Sequence, residues 1–504
     1  MTMHTDVQDV LDRLKAAQRR PLGDPKSKNL LGLEKSTYAQ SSSAMSGLTF
    51  YDLELGAKFL YPVLTPLRNM IPRVSGKGGI QAAWRAITAI NTTGLRFGVS
   101  SANRGGVMAV QTQDYTATYK GIGVETSVDF EAQYAGHDFD DVRAIAAKTG
   151  LEALMLGEEA MILGGCSSLP LGTTPTPTLS AVTTGGTLAA QSWSVVCAAL
   201  TLDGIMNGSV AGGVQGLITR QNADGSTDTF GGGVAKKSAS ADVTTTGATS
   251  SITATVTPVA GALGYAWFWG ASGAEKLGAI TTINSVVITA PAAGTQTPAS
   301  LANDNSTNAL AFDGLIYQAA VPGSGAYVYA MPTGTAGIGT PLTSDSAGGI
   351  MEIDAALKYM WDNYRLSPDT MWVSSQEALN ISRKILSGSQ SAAQRFIFES
   401  SQDLVGGGIM VRTYLNRFSM QGGSVIDIKV HPNMPAGSIL MTTSALPYPL
   451  AGVGNVMQIR TRQDYYQIEW PLRTRKYEYG VYADEVLQNY FPPSLALITN
   501  IGNG

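Results

Sequence analysis

The stretch from Asp138 to Gly165, DFDDVRAIAAKTGLEALMLGEEAMILGG, constrains this chain most, because it reads as one long helix around which other pieces must pack. Asp138, Asp140 and Asp141 suit the positive end of a helix dipole and can cap free backbone N–H groups. Gly164-Gly165 predicts the stop, since glycine accepts the left-handed conformation after a helix. Between them Val142, Ile145, Ala146, Thr149, Ala153, Leu156, Ala160 and Leu163 recur at three- and four-residue spacing. Leu151, Leu154, Met155 and Ile162 widen that stripe. At about 1.5 Å per residue the helix runs on the order of 40 Å, weakened locally at Gly150 and Gly157. Taken alone, it is equally a long core helix of any α+β domain.

A chain of 504 residues is too long for one ordinary core, and length alone predicts about three domains. Charged residues make up only 14%, well below the usual quarter. So few charges leave much surface to be covered by something other than water, which points to large obligate interfaces. A net charge of −4 without a basic run gives no electrostatic footprint for nucleic acid recognition. Two cysteines, Cys166 and Cys197, do not make a disulfide scaffold in this length and fit a reducing compartment. No apolar run reaches membrane-spanning length, and MTMHTDVQDVLDRL lacks the apolar segment of a signal peptide, so folding in a cytoplasm is expected.

Taken in order, Val7, Val10, Leu11 and Leu14 predict a short amphipathic helix. The polar stretch to about Gly47 reads as an extended arm. Pro62, Pro66 and Pro72 forbid a continuous helix in the apolar segment after Lys58. Trp84–Ile90 is an expected strand. The run from Thr88 to Val128, around glycine-rich tips, predicts a long hairpin that needs another subunit or domain to lie on. Residues 167 to about 314 shift sharply to Thr, Ser, Ala and Gly. Within them Ser192–Leu200, the alternation of Ile252, Ala254 and Val256, the aromatic Tyr265–Trp269 and Thr281–Thr289 predict the short strands of an inserted β-sandwich. GATSSITATVTPVAGALGYAWFWG resembles the strand–turn–strand pattern of fibronectin type III and immunoglobulin-like modules. Ile353, Ala356, Leu357, Met360 and Tyr364 mark a helix, Met371–Val373 a strand, and Ser374 with Glu377 a capping box for a helix through Leu386. The remainder reads as strands: GIMVRTYLN, SVIDIKVHP, GSILMTT, VMQIRTRQDYYQIEW and KYEYGVYA.

Five pieces occur in a fixed order: LTPLRNMIPRVSGKGG (Leu64 to Gly79), the hairpin, the helix ending EEAMILGG, PAGSILMTT (Pro435 to Thr443), and YEYGVYADEVLQNYFPPSLALITNI (Tyr477 to Ile501). That order resembles the major capsid proteins of tailed bacteriophages, the Hong Kong 97 fold, over most of the chain outside 167–314. The resemblance implies an α+β fold with an N-terminal arm (1–60) and a peripheral domain starting at 61–165, which carries the extended loop (88–128) and the spine helix (138–165). It further implies an inserted immunoglobulin-like β-sandwich (166–318), an axial domain (319–455) and a returning peripheral sheet with the C-terminus (456–504). Some relatives cross-link subunits through Lys–Asn isopeptide bonds; Lys120 falls in the loop, with no basis for transferring that chemistry.

Catalytic and metal-binding constellations are weighed and set aside. His4, His137 and His431 are far apart, and His137 beside Asp138 reads as a helix-start residue rather than a zinc ligand. No G-x-S-x-G elbow is present. Gly76-Lys77-Gly78-Gly79 lacks phosphate-loop spacing and marks a turn. Asn222, Asp224, Gly225 and Asp228 faintly resemble a calcium loop, against the plainer reading of an Asp-Gly hairpin turn. Arg460, Arg462, Arg473, Arg475 and Lys476, expected along strands, could face packaged DNA or pair with acids on an adjoining subunit; the second is favoured for want of a positive field. Trp267 and Trp269 could form a carbohydrate platform, but an aromatic strand in a sandwich is usually core.

The expectation is therefore a structural protein, with no catalytic, cofactor-binding or metal-binding residues and no cofactor. Its partners would be copies of itself in pentamers and hexamers, with scaffold, portal and decoration proteins and non-specifically contacted double-stranded DNA. It would be assembled in a host bacterial cytoplasm and end in the virion. An encapsulin-type compartment shell and an immunoglobulin-like surface adhesin or glycan-binding protein are the alternatives.

Overall fold

The computed structural model describes residues 59–90, 99–136, 141–387, 410–420 and 423–503. The chain forms two units, Met1–Tyr61 with Gln133–Val142, and Pro62–Ala132 with Arg143–Gly504. Of the first, only residues 59–61, 133–136 and 141–142 are described; there the rings of Phe59 and Tyr61 meet edge to face, 6.2 Å apart. The arm helix on Val7, Val10, Leu11 and Leu14 lies outside the described residues, as do His4, His137, Asp138 and Asp140. The second unit holds the rest of the described chain.

Alanine, leucine, methionine and glutamate, which hold helical backbone at little entropic penalty, dominate the long helix, Val142–Gly164. Its buried face is Gly150, Leu154, Glu158, Glu159, Ile162 and Leu163. The predicted stripe through Ala153 and Leu156 is thus corrected, for Ala153 is exposed and Leu156 only half-buried. The reason is that a hydrophobic pattern assigns glutamates to water, whereas Glu158 and Glu159 are both 0% exposed. The stop at Gly164-Gly165 also has a different cause. Neither glycine takes a left-handed backbone. Instead a Cβ on Gly165 would collide with the Phe312 carbonyl oxygen, and one on Gly164 with a Leu202 methyl. Close approach, not backbone freedom, requires glycine here.

The helix packs on a four-stranded sheet in the order Arg73–Ser75, Met457–Glu469, Lys476–Asn489, Lys120–Asp129. Leu151 and Leu154 meet Ile122, Val124, Val481 and Ala483 across this interface. Gly78 and Gly79, at φ +87° and +93°, make the turn that leads out of Arg73–Ser75. A two-stranded antiparallel ribbon comes next, Gln81–Ile90 on Val110–Thr118, in register from Gln81↔Thr118 to Ile90↔Val110. The hairpin predicted over Thr88–Val128 is corrected accordingly. Its second run is two strands, and Lys120–Asp129 leaves the ribbon to pair with Lys476–Asn489. The break falls at Tyr119, which is buried in the main apolar cluster.

After Gly165 the chain departs, and the segments leading out and back run side by side. Ser167 N and Ser168 N donate to Asp313 Oδ1 at 2.7 and 3.0 Å. Leu171 N donates to Ser306 Oγ at 2.9 Å and Gly172 N to Asp304 Oδ2 at 2.8 Å. Between them lie a three-stranded sheet (Ser285–Ile288, Ser251–Thr255, Thr178–Val182) and a four-stranded one (Lys276–Thr281, Gly264–Gly270, Ser192–Leu200, Ala241–Thr244). Leu188, Trp193, Ile252, Trp267 and Ile288 form one apolar cluster drawn from both. The strand predicted over Thr281–Thr289 is corrected to Ser285–Ile288, because residues 282–284 bend as the tip of a hairpin. The four-stranded sheet is covered on its other face too, where Val196, Ala198 and Phe268 meet Val214, Val234 and Leu301. Burial on both faces accounts for the unbroken apolar run SWSVVCAAL.

The chain then builds a six-stranded sheet in the order Tyr327–Ala330, Leu495–Thr499, Ile439–Thr442, Thr370–Val373, Ser424–Val430, Thr413–Asn416. Helices Met351–Tyr364 and Ser375–Ser387 share its apolar cluster through Ile353, Leu357 and Ile381. Ser374 Oγ accepts from Glu377 N at 3.2 Å, which is half of the expected capping box. The other half is replaced, for the Glu377 carboxylate accepts from Gly437 N at 3.1 Å. The return sheet expected over 456–504 is corrected for its end. Residues Leu495–Thr499 sit inside the six-stranded sheet, where an LALIT run apolar at four of its positions belongs.

Candidate functional site: a buried charge network and an unsupported ribbon

Two features stand out once the fold is in place. The first is a set of ionisable groups at the crossing of the long helix, the four-stranded sheet and the segment Pro66–Met70. Glu159 Oε1 accepts from Leu67 N at 2.8 Å and Oε2 from Arg68 N at 2.7 Å. His431 Nε2 lies 2.6 Å from Glu159 Oε1. His431 Nδ1 accepts from Asn433 N at 3.1 Å, so the ring proton sits on Nε2 and is donated to the carboxylate. Glu158 binds Arg68, Arg73 and Tyr465. Arg73 continues to Glu485 at 2.6 Å and Asp464 at 2.7 Å, and its guanidinium lies 4.4 Å over the Tyr465 ring. Burial, then the nearby Glu158, pushes the Glu485 carboxyl up to about 7, against the pull of Arg73. The hydroxyl of Tyr465 is pushed above its ordinary range by burial and by Glu158. Opposite charges are brought together with most hydrogen bonds made, so the network fixes three chain segments in one geometry.

The second feature is the ribbon. Ile87, Ile90 and Val110 are exposed, as are Met108 and, at 91%, Val107 in the segment leading into the second strand. Among the described residues neither face of its outer half is covered. At its root Trp84 stacks on Tyr115, with centroids 5.8 Å apart, and meets Tyr490 edge-on at 5.7 Å. These rings, with Lys120, Phe312 and Gln318, line a cleft of about 520 Å³.

The residues singled out from sequence are scattered over the fold rather than gathered in one site. His431 is buried as the partner of Glu159. Lys120 lies in the four-stranded sheet rather than the ribbon and donates to Ala309 O at 2.6 Å. Asn222, Asp224 and Gly225 form the tip of a hairpin, with Gly225 at φ +87°. There Asp228 pairs with Arg220 at 2.7 Å, and Asp224 accepts from Ser226 N at 2.9 Å. Trp267 and Trp269 are 0% and 6% exposed, their indoles donating to Thr281 Oγ1 and Ala290 O. They are core, not a platform. The expectation of pairing between subunits is corrected for two of the cations, since Arg462 binds Asp484 at 2.6 Å and Lys476 binds Asp129 at 3.3 Å within the chain. Arg473 and Arg475 lie in the bend between strands rather than along them. Cys166 and Cys197 are free and buried, and burial pushes both thiols up, Cys166 to about 12. The charge network escaped the sequence reading. Its one signal is the adjacent pair Glu158-Glu159 within an otherwise apolar helix end.

Among the described residues no helix is long and apolar enough to cross a membrane. No protein-family model and no curated protein matches the sequence. Solved structures do. The capsid of cyanophage P-SCSP1u aligns at 9% identity and TM-score 0.40, covering 94% of this chain and 99% of that one. The capsid of the native GTA particle aligns at 9% identity and TM-score 0.38, covering 93% and 100%. The holo-SrpI encapsulin complex from Synechococcus elongatus PCC 7942 aligns at 9% identity and TM-score 0.38, covering 89% and 92%. These are likenesses of the chain as a whole; what it does is argued from its own parts.

Proposed function

We propose that this protein is the major capsid subunit of a tailed bacteriophage, which self-assembles into an icosahedral shell around double-stranded DNA. The observation that carries the reading is the ribbon. A two-stranded element whose outer half exposes Ile87, Ile90 and Val110 is barely stable alone, and here it projects from a body stiffened by a 23-residue helix and a buried charge network. That combination suits a subunit that clamps a neighbour, and repeated heterologous contacts of this kind close rings and shells. The order of pieces resembling the Hong Kong 97 fold supports the same reading. In it residues 1–60 are the arm, the helix is the spine, the six-stranded sheet is the axial domain, and the sandwich over 166–318 is an immunoglobulin-like insertion on the outer surface.

The role is structural rather than enzymatic. Partners beyond further copies are scaffold, portal and decoration proteins, with packaged DNA touched without sequence preference. Assembly takes place in the host cytoplasm and the protein ends in the virion. Negative-stain microscopy of the purified chain beside size-exclusion chromatography tests this. Hollow shells, or rings of five and six subunits, are expected. A monomer with no assemblies in the presence of scaffold and portal overturns the reading, and shells loaded with an enzyme instead of DNA replace it with a compartment.

A further inference from the structure

The inserted sandwich is joined to the rest of the chain at two places, and the second is not where the chain enters. The first is the root, where the paired segments 166–172 and 304–314 meet the end of the long helix and Leu202 N donates to Tyr317 Oη at 3.0 Å. The second is the tip of the hairpin between Lys276–Thr281 and Ser285–Ile288. There Asn284 is 0% exposed and Asn500, just beyond the strand Leu495–Thr499, is 6% exposed. Asn284 N donates to Asn500 Oδ1 at 2.8 Å, and Asn500 Nδ2 donates back to Asn284 Oδ1 at 3.1 Å. The remaining capacity of both amides is used as well. Asn284 Nδ2 reaches Val256 O at 2.5 Å and Thr333 Oγ1 at 2.7 Å, and Asn500 Nδ2 reaches Met331 O at 2.6 Å.

Several body segments converge on this pair. Gly337 N donates to Ser285 Oγ at 3.0 Å. Ile501 N and Gly502 N donate to Gly437 O and Thr340 O at 3.0 and 2.8 Å. Asn500 takes φ +61°, a left-handed backbone that asparagine tolerates better than most residues. The chain therefore accepts an unusual backbone at the position whose amide faces the hairpin tip. The two bonds between the asparagines and the one from Asn284 Nδ2 to Thr333 form only when sandwich and body are together, and separating them leaves those buried groups unmade.

We infer that the sandwich acts as an intramolecular brace: its hairpin tip, through the Asn284–Asn500 pair, holds the last strand of the six-stranded sheet and the loop 331–340 in place. It is not a module swinging on a tether. A brace anchored at both the end of the long helix and the residues after Leu495–Thr499 adds a second tie to the apolar cluster that Leu163 and Leu497 already share. This is a property of the single subunit and stands whether or not the protein forms shells.

Hydrogen–deuterium exchange on the full-length chain tests it. In Asn284→Ala and in Asn500→Gly, which keeps the backbone conformation accessible, peptides spanning 495–502 and 327–340 are expected to exchange about tenfold faster or more. Ser192–Leu200, in the sandwich interior, should keep its protection, and the double variant should be no worse than the worse single one. Ser285→Ala removes only the bond from Gly337 and serves if either asparagine variant does not fold; it should accelerate 331–340 alone. Unchanged exchange at 495–502 in Asn284→Ala, or faster exchange confined to the sandwich, overturns the brace.

Discussion

Glu159 is a carboxylate without access to water that accepts two backbone N–H groups and an imidazole N–H. Removing the side chain strands all three donors in the interior. Glu159→Ala is therefore expected to lower stability by about 3–5 kcal/mol, with Glu159→Gln intermediate, as read from denaturant midpoints at constant m-value. Glu377 offers a pH test. Burial pushes its carboxyl up from an ordinary 4.5 to about 7, only partly offset by Gly437 N and Asn380. Because the folded value is raised, this group's contribution is fully present below about pH 4.5 and lost as pH rises through about 7. Stability should fall by roughly 2–3 kcal/mol across that window. In Glu377→Gln this part of the pH dependence should vanish; a wild-type profile in that variant would refute the assignment. Glu485, raised for the same first reason, works in the same direction.

At the scale of elements, those with clean periodicity were legible and those whose identity depends on a distant partner were not. Met351–Tyr364 and Ser192–Leu200 are where their apolar patterns place them, because burial there follows hydrophobicity. The face of the long helix was misread since Glu158 is made buriable by Arg68 and Arg73, some ninety residues earlier in the chain, which no local window contains. The extent of the ribbon was misread for a related reason. Its second run looks continuous from Val110 to Asp129, and only pairing with Lys476–Asn489 tells Lys120 onward apart. The corrected boundary gives a sharper deletion. Ile87 and Thr112 face each other in register, so replacing 88–111 by a short turn should leave a subunit whose melting temperature shifts by only a few degrees, yet which forms no stable shells. Normal shells from that variant would remove the ribbon from assembly.

For the molecule as a whole, the two packed sheets that follow the long helix are tied to the rest of the chain at their root, where Gly314 N donates to Gly165 O at 2.8 Å, and at the hairpin tip by Asn284 and Asn500. Among the described residues the outer half of the ribbon is left uncovered, with Ile87, Ile90 and Val110 turned to solvent. Its order is consequently a matter of mass action. In the proposed shell that outer half gains its cover from other copies, so its protection should rise with the amount of protein present. Such a shell would carry a built-in threshold: below it the outer half of the ribbon stays bare, and above it that half becomes the part most costly to pull away.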